Sequence, residues 1–168
     1  MHFYTSNFYQ VRNMPKDMLP LSINQGEPKW FHDNKGRNYI FQDKRGVWNG
    51  GYVDEISSSN LNCNSNECIN CINCEKEKRN DCTFIKAFLE KLHKLDFKKT
   101  IIKLTKLAEH FKCNSICFVV FEKPEIICGE RAAIKKWFEE NNTPIEEFFP
   151  FKKIGKGFSL NFKKLSFL

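Results

Sequence analysis

The sequence predicts an α/β fold with a short, mostly parallel sheet, helices on its faces and an inserted cysteine-rich loop. One observation is an unbroken apolar run from Ile116 to Phe121, rich in β-branched and aromatic residues. Such a run lacks apolar/polar alternation, which is typical of a central strand covered on both faces. A second is the stretch from Ala133 to Phe138, where apolar residues recur at helical spacing soon after that strand. Two more helical patterns precede it.

Length and composition indicate one domain. A chain of 168 residues buries roughly 70% of its unfolded surface. With 41% hydrophobic residues the chain has enough apolar material for a core, which excludes wholesale disorder. We assign residues 1–150 to a single α/β domain with a cysteine-rich insert at 58–82, and residues 151–168 to a basic C-terminal extension.

The sequence carries no sign of a membrane or secretory protein. No apolar run approaches the length of a membrane span, and no basic segment followed by an apolar one opens the chain. We therefore expect a cytoplasmic protein without a membrane partner. In a reducing compartment, eight cysteines favour metal ligation or thiol chemistry over disulfides.

Two strands are predicted near the N-terminus, over Phe3–Ser6 and Met18–Asn24. A turn at Gln25–Pro28 ends the second strand. The segment from Asp33 to Tyr52 is irregular and rich in glycine and aromatic residues, and a loop of this length is usually functional or tied by a metal.

Two amphipathic helices are predicted before the central strand. Asp81 is a good N-cap for a helix with apolar residues up to Leu95, and Asp96 is a good N-cap for the next, which reaches Phe111. In the tail, apolar and polar residues alternate from Phe158 to Phe162, which predicts a late strand at an edge.

Five cysteines fall within twenty residues, separated by four, two, two and seven positions: Cys63, Cys68, Cys71, Cys74 and Cys82. The residues between them are mostly polar and cannot form a core, so a bound metal would supply the free energy that orders the loop. Zinc is the default for four thiolates, whereas the C-x-x-C-x-x-C spacing also fits an iron–sulfur cluster. Free thiols on a loop are the alternative without metal.

A candidate site lies where the central strand ends and the last helix begins. Open α/β sheets bind ligands at the carboxyl ends of their strands, beside helix N-termini. Glu122, Cys128 and Arg131 are the candidate catalytic residues, because they place a carboxylate, a thiol and a guanidinium there within ten residues. A thiolate near a helix N-terminus would be a nucleophile, although nearby acids oppose its ionisation. The alternative is a half-buried cysteine with solvated charges around it.

Residues after the second strand are expected to face the same cleft. The candidate ligand-binding residues are Asn24, Gly26, Trp30 and His32. A small anionic, nucleotide-like ligand would suit this edge of the sheet, and the sequence leaves both binding and catalysis open.

The basic tail suggests a different partner. Residues 151–168 hold five lysines and no acid, so this segment carries +5 of the net charge of +7. Lysines between phenylalanines could bind the phosphates and bases of nucleic acid. The same pattern is typical of an edge strand in which lysine prevents unwanted pairing.

Several segments together resemble the YeaO-like family of small bacterial and phage proteins, a domain of unknown function. The resembling pieces are Phe3–Phe8, the strand around Leu21–Ile23 with Pro28–Trp30, and the stretch from Phe121 through Cys128 and Arg131 to Trp137. Members commonly end the core strand in Cys-Tyr-Glu and open the helix with Cys-His-Arg. Here Val120 and Phe121 replace the first pair, and Gly129-Glu130 stand where the histidine is expected. The resemblance implies a three-layer α/β fold and no particular reaction.

The chain looks closer to a longer, cysteine-containing branch of that family. The matching motifs are Trp-Phe-His-Asp at Trp30–Asp33 and Gly-Val-Trp-Asn-Gly at Gly46–Gly50. The branch also has Cys-Ser-Glu-Arg at the helix start, where this chain has Cys-Gly-Glu-Arg at Cys128–Arg131. Members of that branch carry four cysteines before the first long helix, where this chain has five. The resemblance implies Cys63, Cys68, Cys74 and Cys82 as their counterparts and leaves Cys71 as the extra one.

Overall fold

The computed structural model describes residues 1–59, 61, 83–122 and 129–150, together with the backbone of 151–154 and 157–160. Its strands are β1 (His2–Asn7), β2 (Met18–Ser22), β3 (Ile40–Gln42), β4 (Trp48–Gly50), β5 (Ser115–Val120), β6 (Glu146–Glu147), β7 (Phe151–Ile154) and β8 (Gly157–Leu160). Its α-helices are α1 (Thr83–His93), α2 (Phe97–His110) and α3 (Glu130–Glu140), and shorter 3-10 helices cover Phe8–Asn13, Lys29–Phe31 and Asp54–Ile56.

A four-stranded sheet in the order β2-β5-β1-β6 forms the centre of the domain. β5 runs parallel to both β1 and β2, and β6 runs parallel to β1. In register, Ile116 of β5 lies opposite Phe3 of β1 and Leu19 of β2. The α/β class and the mostly parallel sheet predicted from the sequence are therefore confirmed.

Strand β5 is covered on both faces, as its unbroken apolar run predicts. All six of its residues are buried. Ile116, Phe118 and Val120 belong to a cluster that includes buried side chains from all three α-helices. Cys117 and Val119 belong to a second cluster, formed with the 3-10 helix Phe8–Asn13 and neighbouring residues. Because side chains of a strand alternate between faces, the two clusters lie on opposite faces of the sheet.

Local signals explain several boundaries. The Asp96 side chain accepts a hydrogen bond of 3.0 Å from the backbone N–H of Lys99, which confirms the predicted N-cap of α2. Phe121 lies just beyond β5 and is 46% exposed, so the strand ends one residue earlier than the apolar run. Asp81, the predicted N-cap of α1, lies outside the described residues.

The backbone of β7 pairs with that of β8 in a two-stranded antiparallel ribbon, with Phe151 opposite Leu160. β8 covers most of the alternating segment from which a late strand was predicted, and its partner is β7. Within the part of the chain that the structure describes, every helix is too short or too polar to cross a lipid bilayer.

Candidate functional site

Strand β5 delivers Glu122 to the carboxyl edge of the sheet. Val120 is fully buried and Phe121 is 46% exposed, so the chain emerges from the core between these two residues. The side chain of Glu122 points back into the protein, as the burial of its Oε2 atom shows. The strand thus places an acid at the edge where ligands of α/β folds bind, with its carboxyl group directed inward.

The carboxyl group of Glu122 lies at the N-terminus of α3. The backbone N–H of Glu130 donates a hydrogen bond of 2.8 Å to Glu122 Oε1. This is one of the N–H groups that a helix leaves without an internal partner. Gly129 comes between them at φ +101°, and a Cβ atom at this position would overlap Glu122 Oε1. Glycine is therefore required for the carboxyl group to reach the helix.

A second acid, Glu130, lies beside Glu122, and we refer to the two as the carboxyl pair. Glu130 is 9% exposed, and its Oε1 accepts a hydrogen bond of 2.7 Å from Ser58 Oγ. The backbone N–H of Ser58 donates to the carbonyl of Ile23 at 2.9 Å. Since Ile23 directly follows β2, Ser58 connects the carboxyl pair to the end of that strand.

The environment of Glu122 favours its neutral form. Burial raises the pKa of Glu122, and the hydrogen bond and negative charge of Glu130 raise it further, to about 8. Hydrogen bonds from backbone N–H groups lower the pKa but do not offset these effects. Glu122 therefore keeps its proton at neutral pH, as expected for one of two adjoining acids.

Arg131 contacts the backbone of Glu122 from inside the protein. It is 3% exposed, and its Nη1 donates a hydrogen bond of 3.2 Å to the backbone carbonyl of Glu122. Its Nε lies 3.6 Å from Glu147 Oε1, and its guanidinium lies 5.1 Å from the ring centre of Phe149. Arg131 thus joins the start of α3 to the end of β5 and to the segment around β6.

The predicted ligand-binding residues Asn24 and Gly26 lie in the loop after β2. The carbonyl of Asn24 accepts a hydrogen bond of 2.7 Å from Arg37, whereas Gly26 is exposed. Between them, Gln25 Nε2 donates to the carbonyl of Ser58 at 3.1 Å. Through Ser58 this loop is connected to the carboxyl pair.

Trp30 and His32, the other two predicted ligand-binding residues, precede and follow the buried Phe31. Trp30 is 50% exposed and lines an open cleft, whereas the Nδ1 atom of His32 is buried without a hydrogen-bond partner among the described residues. The ring of Phe8 lies 5.0 Å from that of Phe31 and 4.8 Å from that of Phe121, measured between centroids. Phe8 therefore brings the Trp30–His32 segment close to the residue that precedes Glu122.

The structure thus brings together part of the predicted site. Glu122 and Arg131 are in contact, and the loop of Asn24 and Gly26 is connected to them. Cys128 and the metal-ligand candidates Cys63, Cys68, Cys71, Cys74 and Cys82 lie outside the described residues. Of the residues that are described, no three histidine, cysteine or acidic side chains form a group that could hold a metal ion.

The remaining two cysteines are packing residues. Cys113 and Cys117 are buried within or beside β5. Burial, followed by the charge of Asp17, raises the pKa of Cys113 to about 11, and burial alone raises the pKa of Cys117. Neither thiol is a candidate nucleophile at neutral pH.

Sequence reasoning missed several polar residues of this edge. It treats Glu130 only as a charge near the helix start. The sequence does hold a signal for it, because an acid at the end of the strand is followed eight residues later by an acid at the start of the helix. Ser58 gives no signal, because its contact depends on the fold. The ion pair between Glu27 and Arg37, at 2.6 Å with the Glu27 side chain only 3% exposed, is missed for the same reason.

Comparisons of the chain with protein-family models, with curated proteins and with solved structures found no match.

Proposed function

We propose that this chain is a small α/β domain that binds, or acts on, a nucleotide-like or other anionic ligand at the turn between Glu122 and Arg131. The observation that carries the proposal is the inward-directed carboxyl group of Glu122 beside Glu130 at the start of α3, where burial and the second acid raise its pKa. Acids with strongly raised pKa values and a specific charged neighbour are enriched at functional sites. An acid with a pKa of about 8 can both donate and accept a proton near neutral pH.

The proposed roles follow from the chemistry of the residues. Glu122 is the proton donor and acceptor, Cys128 a nucleophile and Arg131 a source of fixed positive charge that favours an anion. Asn24, Gly26, Trp30 and His32 are the proposed ligand contacts. The buried Nδ1 of His32, which lacks a hydrogen-bond partner among the described residues, supports a polar role for that side chain.

A binding experiment tests this function. The protein is titrated with inorganic phosphate and with 5′-nucleotides on both sides of pH 8, and binding is followed by calorimetry for the wild type, Glu122→Gln and Cys128→Ala. We expect saturable binding by the wild type and at least about tenfold weaker binding by Glu122→Gln, the loss typical of a hydrogen bond to a charged group. Wild-type affinity in both variants would contradict the proposal.

We further propose that the cysteine-rich insert at residues 58–82 binds a metal through four of its five cysteines, Cys63, Cys68, Cys71, Cys74 and Cys82. The support is the number and spacing of the cysteines, with zinc as the first choice and an iron–sulfur cluster as the alternative. Elemental analysis with an absorbance spectrum of protein purified without oxygen tests this. Zinc without a visible band or iron with a broad one supports the proposal, and the absence of both metals contradicts it.

The family and the finer architecture are part of the same proposal. The motifs at Phe3–Phe8, Trp30–Asp33 and Gly46–Gly50 support membership of the longer branch of the YeaO-like family, whose members are bacterial or phage proteins. A cytoplasmic location is part of the same proposal. The family's three-layer α/β fold has helices on both faces of the sheet and a metal-tied loop. The two hydrophobic clusters on opposite faces support this, since α-helices pack on one face and 3-10 helices on the other.

A second candidate function is nucleic-acid binding without catalysis. The observation that favours it is the charge of residues 151–168, with five lysines and no acid. Under this alternative, deletion of 151–168 should flatten the salt dependence of binding to single-stranded or duplex DNA, because each phosphate contact contributes to the slope. An unchanged slope would contradict it.

A further inference from the structure

An open cleft of about 380 Å³ lies among the segments that cover the face of the sheet opposite the α-helices. Three segments build it: the 3-10 helix after β1, the 3-10 helix that contains Trp30, and the β3–β4 hairpin. Its lining residues are Phe8, Tyr9, Arg12, Trp30, Phe41, Asp43, Arg45 and Asn49, and we refer to it as the Trp30 cleft. Glu122 and Arg131 are not among the residues that line it.

Two exposed aromatic rings border the Trp30 cleft. Tyr9 is 68% exposed and Trp30 is 50% exposed. Beneath them the rings are packed, with 5.9 Å between the centroids of Trp30 and Phe31 and 5.0 Å between those of Phe31 and Phe8. Large rings left in solvent on a packed base are typical of binding surfaces, because they offer stacking area with little loss of conformational freedom.

The charged residues of the cleft differ in how they are held. Arg45 is fixed by Asp43, with Nε and Nη2 at 2.9 and 2.6 Å from Oδ2. Partial burial raises the pKa of Asp43, but hydrogen bonds from Arg45 and Val47 lower it more, so its net pKa is lowered and it is ionised. Within the described part of the chain, the side chain of Arg12 has no hydrogen-bond or ion-pair partner. The two arginines and one aspartate give the cleft a net charge of +1.

Asn49 adds a polar group that can distinguish ligands. It is 7% exposed at the cleft, and its Nδ2 donates a hydrogen bond of 3.0 Å to the carbonyl of Val47. This bond fixes the orientation of the amide. The oxygen and the second N–H of a fixed amide can pair with the edge of a heterocyclic ring.

We infer that the Trp30 cleft binds a single nucleotide. The base stacks on Trp30 and Tyr9, and the phosphate is bound by Arg12, whose guanidinium can donate two parallel hydrogen bonds to it. The volume lies at the lower end of the range of about 300–1,000 Å³ for small-ligand sites, which suits one nucleotide. This site adds to the proposed function: Trp30 is shared with the proposed contacts of the Glu122 site, whereas Tyr9, Arg12 and Asn49 have no role there.

The inference is tested by NMR titration of the full chain with AMP and with UMP, following the indole N–H of Trp30, which the spectrum of Trp30→Phe identifies. We expect this signal to shift in a saturable way with either nucleotide. Adenosine, which lacks the phosphate, should bind at least about tenfold more weakly, the loss typical of hydrogen bonds to a charged group.

Variants separate the cleft from the turn of Glu122. Arg12→Gln and Tyr9→Ala change exposed side chains, and we expect each to weaken AMP binding by about fivefold or more, as loss of a phosphate contact or of a stacking ring does. Lys29→Gln removes a positive charge next to Trp30 that does not line the cleft, and it should leave the affinity unchanged.

Two results would overturn the inference: no shift of the Trp30 indole with either nucleotide, or wild-type affinity in both Arg12→Gln and Tyr9→Ala. If AMP binding is lost in Glu122→Gln and kept in Arg12→Gln, the nucleotide binds at the turn, so the proposed function stands and the cleft site is excluded. Loss in Arg12→Gln with binding retained in Glu122→Gln supports the cleft.

Discussion

Glu122 makes the free energy of unfolding depend on pH. Its pKa of about 8 in the folded chain lies above the ordinary value of 4.5, so the folded state binds more protons between these values. With respect to this group, stability is greatest below the ordinary value and falls as the pH rises towards the folded-state pKa, by up to about 1.4 kcal/mol per pH unit. Glu122→Gln replaces the protonated acid by a neutral amide. We expect its stability relative to the wild type to increase over this interval, as measured by urea unfolding.

The control for this prediction is Glu139→Gln, which removes an exposed acid from α3. Its stability should follow the wild type at every pH. If Glu122→Gln also follows the wild type from acid to alkaline pH, Glu122 is ionised in the folded protein and the high pKa is wrong.

Gly129 is the residue on which the position of the carboxyl pair depends. An alanine there would need φ near +101° and would overlap the Glu122 carboxyl group. We expect Gly129→Ala to lower the free energy of unfolding by about 3 kcal/mol, since backbone strain alone costs about 1–3 kcal/mol.

A matched control exists at Gly36, which has φ +107° and, in the described part of the chain, no atom within 4 Å of the place that an alanine methyl group would occupy. Gly36→Ala carries the backbone strain without the overlap, so thermal unfolding should show the smaller loss for this variant. Adding Glu122→Ala to Gly129→Ala should recover the difference. Equal losses at both glycines would show that the carboxyl group does not occupy this position.

At the level of single elements, helix α2 depends on its N-cap. Asp96 accepts the hydrogen bond from the Lys99 N–H, while its ion pair with the Lys99 side chain is long, at 3.8 Å, and exposed. We therefore expect Asp96→Ala to cost about 1 kcal/mol and Asp96→Asn, which keeps the acceptor, to cost little. Urea unfolding of both variants measures this. A large loss in Asp96→Asn would assign the stabilisation to charge.

Elements defined by local patterns could be predicted from the sequence. The apolar run of β5 predicts burial on both faces, and Asp96 predicts the start of α2. The 3-10 helix Phe8–Asn13 has no such pattern, because its conformation depends on packing Val11 against β5. β6 has only two residues and both are exposed glutamates, so its pairing with β1 has no hydrophobic signal.

For the molecule as a whole, proximity in sequence predicts only part of the site. Glu122, Glu130 and Arg131 come together because the end of β5 and the start of α3 are close in the sequence. Ser58 reaches Glu130 from 72 residues away, and Arg12 and Arg45 line the same cleft from separate segments. Such contacts depend on tertiary structure, so no linear motif could predict them.

The described residues form an extensive hydrophobic core. One cluster joins the sheet to all three α-helices, and the second covers the opposite face of the sheet. A variant in which Cys63, Cys68, Cys71, Cys74 and Cys82 are all serine should therefore keep a cooperative unfolding transition. In contrast, Phe118→Ala removes a fully buried ring that lies 5.8 Å from that of Phe138, and we expect a loss of about 3–5 kcal/mol. Circular dichroism during urea unfolding compares the two variants. Loss of the cooperative transition in the serine variant would contradict this prediction and show that the sheet and its helices need the insert in order to fold.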